Sequence, residues 1–97
     1  EYGLVALNFE NAIILFVYEG NPKFGTCGLS VPGNMILPAN TVFLSGSKND
    51  IAVRTIGERL AKIVNKLALV SINVTTMSNT LHAKLWEFIE TKILSNE

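Results

Sequence analysis

The chain has 97 residues, which suits one domain, and its 48% hydrophobic and 16% charged content is that of a folded, core-rich chain rather than a disordered one. Eight basic and eight acidic residues give a formal net charge of zero with neither sign clustered, which argues against nucleic acid as a partner because such binders need a basic stripe. The longest apolar run, residues 12–18, is too short to span a bilayer, so no membrane partner is expected either.

Residues 2–9 read as a first strand and residues 12–19 (Ala-Ile-Ile-Leu-Phe-Val-Tyr-Glu) as the strongest strand in the chain. Glu10-Asn11 between them predicts a hairpin with a two-residue turn. Gly20-Asn21-Pro22 breaks the second strand. Residues 23–31 read as a third, weaker strand, whose two glycines predict a bulge or a close backbone approach. Pro32-Gly33-Asn34 is a turn, Pro38 closes the loop after it, and residues 40–45 form a fourth strand. A polar segment, residues 46–50, follows, in which Ser47 or Asn49 is placed to cap a helix over residues 50–66. Arg54, Glu58 and Lys62 fall four apart on its wet face, with Glu58 and Lys62 in the favoured pair order.

The chain is organised around residues 59–73. Leu60, Ala61, Val64 and Leu67 recur at helical spacing. Asn65-Lys66 then ends the helix, since Asn tolerates the left-handed conformation and Lys complements the negative end of the dipole. Residues 67–74 are short, aliphatic and β-branched, and read as a fifth strand with little face toward water. Ser78 is placed to cap a second helix over residues 79–94, with Leu81, Leu85, Phe88, Ile89 and Ile93 as its apolar stripe.

The order β-β-β-β-α-β-α predicts one α+β domain over residues 1–97, with a mixed, mainly antiparallel sheet of about five strands and two helices packed on one face. The first three strands are expected to form an antiparallel meander, and the strand–helix–strand unit to make a parallel neighbour.

The second strand is apolar on both faces, with Ala12, Ile14, Phe16 and Tyr18 pointing one way and Ile13, Leu15 and Val17 the other. Two helices cover about one face of such a sheet, so the other would expose more apolar surface than a soluble monomer tolerates. A partner protein on that face is the expectation. The contacts fall on one of two sets, Ile13, Leu15 and Val17 or else Ile14, Phe16 and Tyr18, and the pattern does not choose between them. The competing expectation is a further N-terminal helix covering that face within the monomer; the chain begins at Glu1 without a methionine, as a trimmed fragment would.

Candidates for chemistry are few. The single cysteine, Cys27, excludes an internal disulfide, suits a reducing compartment, and reads as a small buried residue in a glycine-flanked strand. The single histidine, His82, lies one turn before Trp86, where the two rings can stack, and has no acidic or thiol neighbour at a useful spacing. Trp86 reads as core, and Asp50 as a first-turn or capping residue. Gly46-Ser47-Lys48 lacks the rest of a phosphate loop and reads as a plain loop. Asn73-Val74-Thr75 matches a glycosylation sequon but ends a buried strand. No paired carboxylates stand at a readable spacing, so no catalytic residue, metal ligand or cofactor site is assigned.

At Arg59-Leu60-Ala61-Lys62, Asn65-Lys66, Val70-Ser71 and Asn73 the chain resembles the proteasome assembly chaperone 4 family. Thr41, Leu44, Gly46 and Asp50 are similar to that family's strand–loop–helix junction, and the closing helix agrees in position and character. The resemblance implies a small non-enzymatic chaperone without cofactors. It would form a heterodimer with a related chaperone, the third in the same series, and hold proteasome core alpha-type subunits while their ring forms. It would leave before the core matures, and would act in the cytoplasm or nucleus. Two other readings stand beside it: a homodimeric interaction module such as a trafficking or signalling scaffold, and a small enzyme whose site forms between two copies near His82 or Cys27.

Overall fold

Two hairpins, joined by a strand that follows a helix, make the sheet. The computed structural model describes residues 2–34, 36–46 and 48–94. Its strands are β1 (Tyr2–Asn8), β2 (Ala12–Glu19), β3 (Thr26–Val31), β4 (Asn40–Ser45) and β5 (Leu67–Asn73), and its helices are α1 (Asp50–Val64) and α2 (Asn79–Lys92). The fold is the predicted α+β arrangement, with element order β-β-β-β-α-β-α and sheet order β1-β2-β5-β3-β4. Among the described residues only β2 and β5 pair in parallel; β1–β2, β3–β5 and β3–β4 are antiparallel. The Glu10-Asn11 hairpin forms as expected, closed by a 2.7 Å bond from the Phe9 N–H to the Ala12 carbonyl.

The expected meander of the first three strands does not form, because β5 inserts between β2 and β3. The two strands that are apolar on both faces, β2 and β5, thereby lie side by side, away from the sheet's edges, where each gains neighbours on both sides. The strand–helix–strand unit is likewise corrected: β4 and β5 run in the same direction but have β3 between them. Residues 20–25 carry the chain over the end of β5 to reach β3. Gly25 makes that crossing at backbone distance, since a Cβ there would lie 2.0 Å from the Ile72 carbonyl oxygen. Its N–H donates to Ser71 Oγ at 3.0 Å. The third strand therefore starts at Thr26, later than the pattern suggests, and the expected bulge is a register shift between Cys27 and Gly28.

Helix α1 buries Ala52, Val53, Ile56, Leu60 and Ala61 against β3, β5 and β4. It ends, as predicted, at Asn65 in the left-handed region (φ 55, ψ 45). Lys66 then turns back, donating to Asn8 Oδ1 at 2.8 Å and to the Phe9 carbonyl at 3.0 Å, which ties the first hairpin to the helix stop. At the other end Asn49 holds the cap position without capping; its amide donates instead to the Val74 carbonyl at 3.1 Å. Ser47, the other candidate cap, lies outside the described residues. The helix comes closest to the sheet at Gly57, where a Cβ would fall 2.3 Å from Ser30 Oγ. Ser30 and Thr41 share a buried hydroxyl bond of 2.7 Å, and Thr41 Oγ1 donates to Glu58 Oε2 at 2.8 Å. Glu58 is thus bound to the sheet rather than free on the wet face, and the Arg54 guanidinium stands 5.3 Å from the centroid of Phe43.

Helix α2 buries Leu85, Trp86 and Ile89, and Ser78 caps it as expected, accepting from the Leu81 N–H at 3.0 Å. Phe88 departs from the predicted stripe and is 47% exposed. At 100° per residue it stands about 110° from the centre of the arc that holds Leu85, Ile89 and Trp86. Trp86 is core, as read from the sequence, and its ring lies under Arg59 at 4.4 Å. The Trp86 Nε1 is buried and has no hydrogen-bond partner among the described residues. Replacing Ser78 with alanine leaves the Leu81 N–H without that acceptor and is expected to cost about 1 kcal/mol, read as a lower urea midpoint with an unchanged slope.

Candidate functional site

Strand β2 alternates in burial along its length, and this decides between its two faces. Ile13, Leu15 and Val17 are at most 1% exposed and pack with Val53, Ile56, Leu60, Val70, Ile72 and Ile89. They form the core beneath the helices, so the expectation that they contact a partner is corrected. Ile14, Phe16 and Tyr18 point to the opposite face, which neither helix covers.

Register extends that face across the sheet. Phe16 stands beside Val5 on β1 and Ser71 on β5, and Ile14 beside Leu7 and Leu69. Leu29 stands between Leu69 and Val42. Val5, Leu7, Val42 and Leu44 are between 43% and 60% exposed. Phe24, from the crossing segment, is 69% exposed and meets Phe16 edge to face, with centroids 5.2 Å apart and planes at 77°. The Tyr18 ring lies over Gly3, where any Cβ would strike it at 2.3 Å. Val5, Phe16, Tyr18, Pro22, Lys23 and Phe24 line a groove of about 250 Å³ at this end of the face.

Among the described residues no strand residue on this face is charged. Five strands about 4.8 Å apart and about 20 Å long span roughly 500 Å² in projection, before side-chain relief and Phe24 are added. That is at the upper end of what monomers leave open, and it approaches the roughly 800 Å² that each side of a standard interface buries. An apolar, aromatic-bearing sheet face whose strands carry no charge excludes water well, so it suits burial against a similar surface, with Lys23 at its margin.

The residues weighed for chemistry do not come together. Cys27 is 6% exposed, and burial pushes its thiol above the usual range, away from a reactive thiolate. His82 lines a separate cleft of about 390 Å³ with Asp50, Asn49, Met77 and Ser78, between the starts of the two helices. Among the described residues no three His, Cys, Asp or Glu side chains gather at metal-binding distance, and no helix is long and apolar enough to cross a membrane. The Glu19 carboxylate accepts from the Thr75 N–H at 2.8 Å, which holds it below the usual carboxylate range and ties the end of β2 to the loop after β5.

Reading the sequence for one strand missed Phe24, Leu69, Val42 and Leu44. Phe24 falls in a stretch that reads as strand but is loop, and the others belong to strands whose place in the sheet local patterns do not give. Comparison with protein-family models and with curated proteins finds no match for this chain.

Proposed function

We propose that the chain is an assembly chaperone subunit that works by surface complementarity: its open sheet face packs on a related small chaperone, and the pair promotes assembly of the proteasome core alpha-ring. The observation that supports this reading is the apolar sheet face, free of charged strand residues, which lies opposite the helix-covered core of the described residues. The resemblance at residues 59–73 supplies the identity of the partner. On this reading a more polar surface of the complex holds alpha-type subunits in an orientation that favours ring closure. The complex binds the intermediate and not the finished particle, so it leaves as the core matures.

The test is co-expression with a third-chaperone homologue, followed by the mass of the purified product. Equimolar recovery of the two chains, with alpha-type subunits retained by the complex and beta-type subunits displacing it, is the expected result. A chain that ignores that homologue and retains no proteasome subunit sinks the proposal.

A further inference from the structure

We infer that the chain also pairs with a second copy of itself through the edge strand β4, in antiparallel register with Val42 opposite Val42 of the second copy, so that the sheet continues across a twofold axis. This inference concerns backbone pairing at the β4 edge, so it stands or falls apart from the packing proposed for the open face, at whose margin Val42 and Leu44 lie.

β4 ends the sheet, and it lacks the devices that usually blunt an edge: residues 40–45 contain no charge and no proline. Its outward backbone groups are therefore available to another strand. The charge arrangement above it selects the occupant. On the helix side of the edge Arg54 stands over Phe43, and Glu58 accepts from Thr41. Thr41 and Phe43 flank Val42 symmetrically. In a pair centred on Val42, Thr41 of each copy therefore faces Phe43 of the other, and Arg54 of each copy comes to the Glu58 side of its mate. The arrangement is self-complementary, as a twofold interface requires. On the other face Val42, 58% exposed, meets its own counterpart, and Leu44, 60% exposed, lies beside Asn40 of the second copy.

The test uses cysteine at the twofold position. Residues opposite each other in an antiparallel pair have Cα atoms about 4.5–5.5 Å apart, within reach of a disulfide. Val42→Cys is expected to give a covalent dimer on mild oxidation. Leu44→Cys, displaced from the axis, and the wild-type chain, whose only thiol is the buried Cys27, are expected to stay single. Running all three with Phe16→Glu removes pairing through the open face, so failure of that proposal leaves this readout intact. Arg54→Glu is expected to weaken self-association by about tenfold or more, whereas Arg54→Lys, which keeps the charge and leaves the Thr41–Glu58 bond in place, retains it. A Val42→Cys chain that links no more than Leu44→Cys, or an Arg54→Glu chain that self-associates like the wild type, overturns the inference.

Discussion

Glutamate at Leu15 is expected to unfold the chain, whereas glutamate at the next residue, Phe16, leaves it folded and removes its partner. Leu15 is fully buried among the side chains under α1 and α2. The substitution deletes a core side chain, at a cost of about 2–5 kcal/mol, and also places a carboxylate where no counter-charge stands. Together these approach the whole stability of a small domain, about 5–15 kcal/mol. Phe16 faces the other way. Its loss removes the edge-to-face contact with Phe24, about 1 kcal/mol, and its carboxylate remains in water while the chain is alone. In the proposed complex that same carboxylate would be buried unpaired at the centre of an apolar face, and affinity is expected to fall at least about 100-fold. Circular dichroism with co-purification separates the outcomes. A folded Leu15→Glu chain, or a Phe16→Glu chain that keeps its partner at wild-type affinity, contradicts the assignment of the two faces.

The second large effect is expected from a single methyl group. Gly25→Ala should cost about 4 kcal/mol, while Gly20→Ala, in the same connection, costs about 1 kcal/mol. Gly20 has a positive φ of 77° but open space around it, so alanine meets only conformational strain. At Gly25 the new Cβ would sit 2.0 Å from the Ile72 oxygen and 2.6 Å from the Asn73 Cα, both backbone atoms of β5. A side chain can turn aside, but a central strand held on both sides cannot. The segment must lift, which breaks the Gly25 bond to Ser71 and draws Thr26 from its register with Ile72. Urea midpoints of the two variants check this, and equal shifts would mean that the crossing yields freely.

Much of this was readable beforehand. Asn65 and Ser78 end and begin helices for local reasons, which a sequence displays directly. The apolar composition of β2 and β5 marked them as strands needing cover on both sides. The sheet order was not readable, because pairing joins residues as distant as Ile13 and Ala68, and no local pattern encodes which strand enters the gap. Nor did alternation choose the outer face of β2, since both faces are equally apolar. Composition held a signal that alternation lacked: the inner set is wholly aliphatic, while the outer set contains Phe16 and Tyr18, the kind of residue that interfaces favour. Trp86 keeps the core place read for it, whereas Phe88, two residues on, falls outside the core because the α2 stripe is wide and Phe88 stands at its margin.

The central position of β5 governs how the molecule can be made. The two hairpins, β1–β2 and β3–β4, share no ladder, and what joins them is a strand encoded by residues 67–73. A nascent chain that has emerged only as far as β4 therefore holds two separate ribbons, each with one inner edge waiting. Two-stranded ribbons are marginal by themselves in water. The sheet closes only after α1 has been synthesised and β5 has entered the slot between the ribbons, so folding is a late event dominated by contacts distant in sequence. Until then the inner edges of β2 and β3 are open to any extended segment nearby, and the interval between translation of β4 and of β5 is when this chain is most exposed to mispairing.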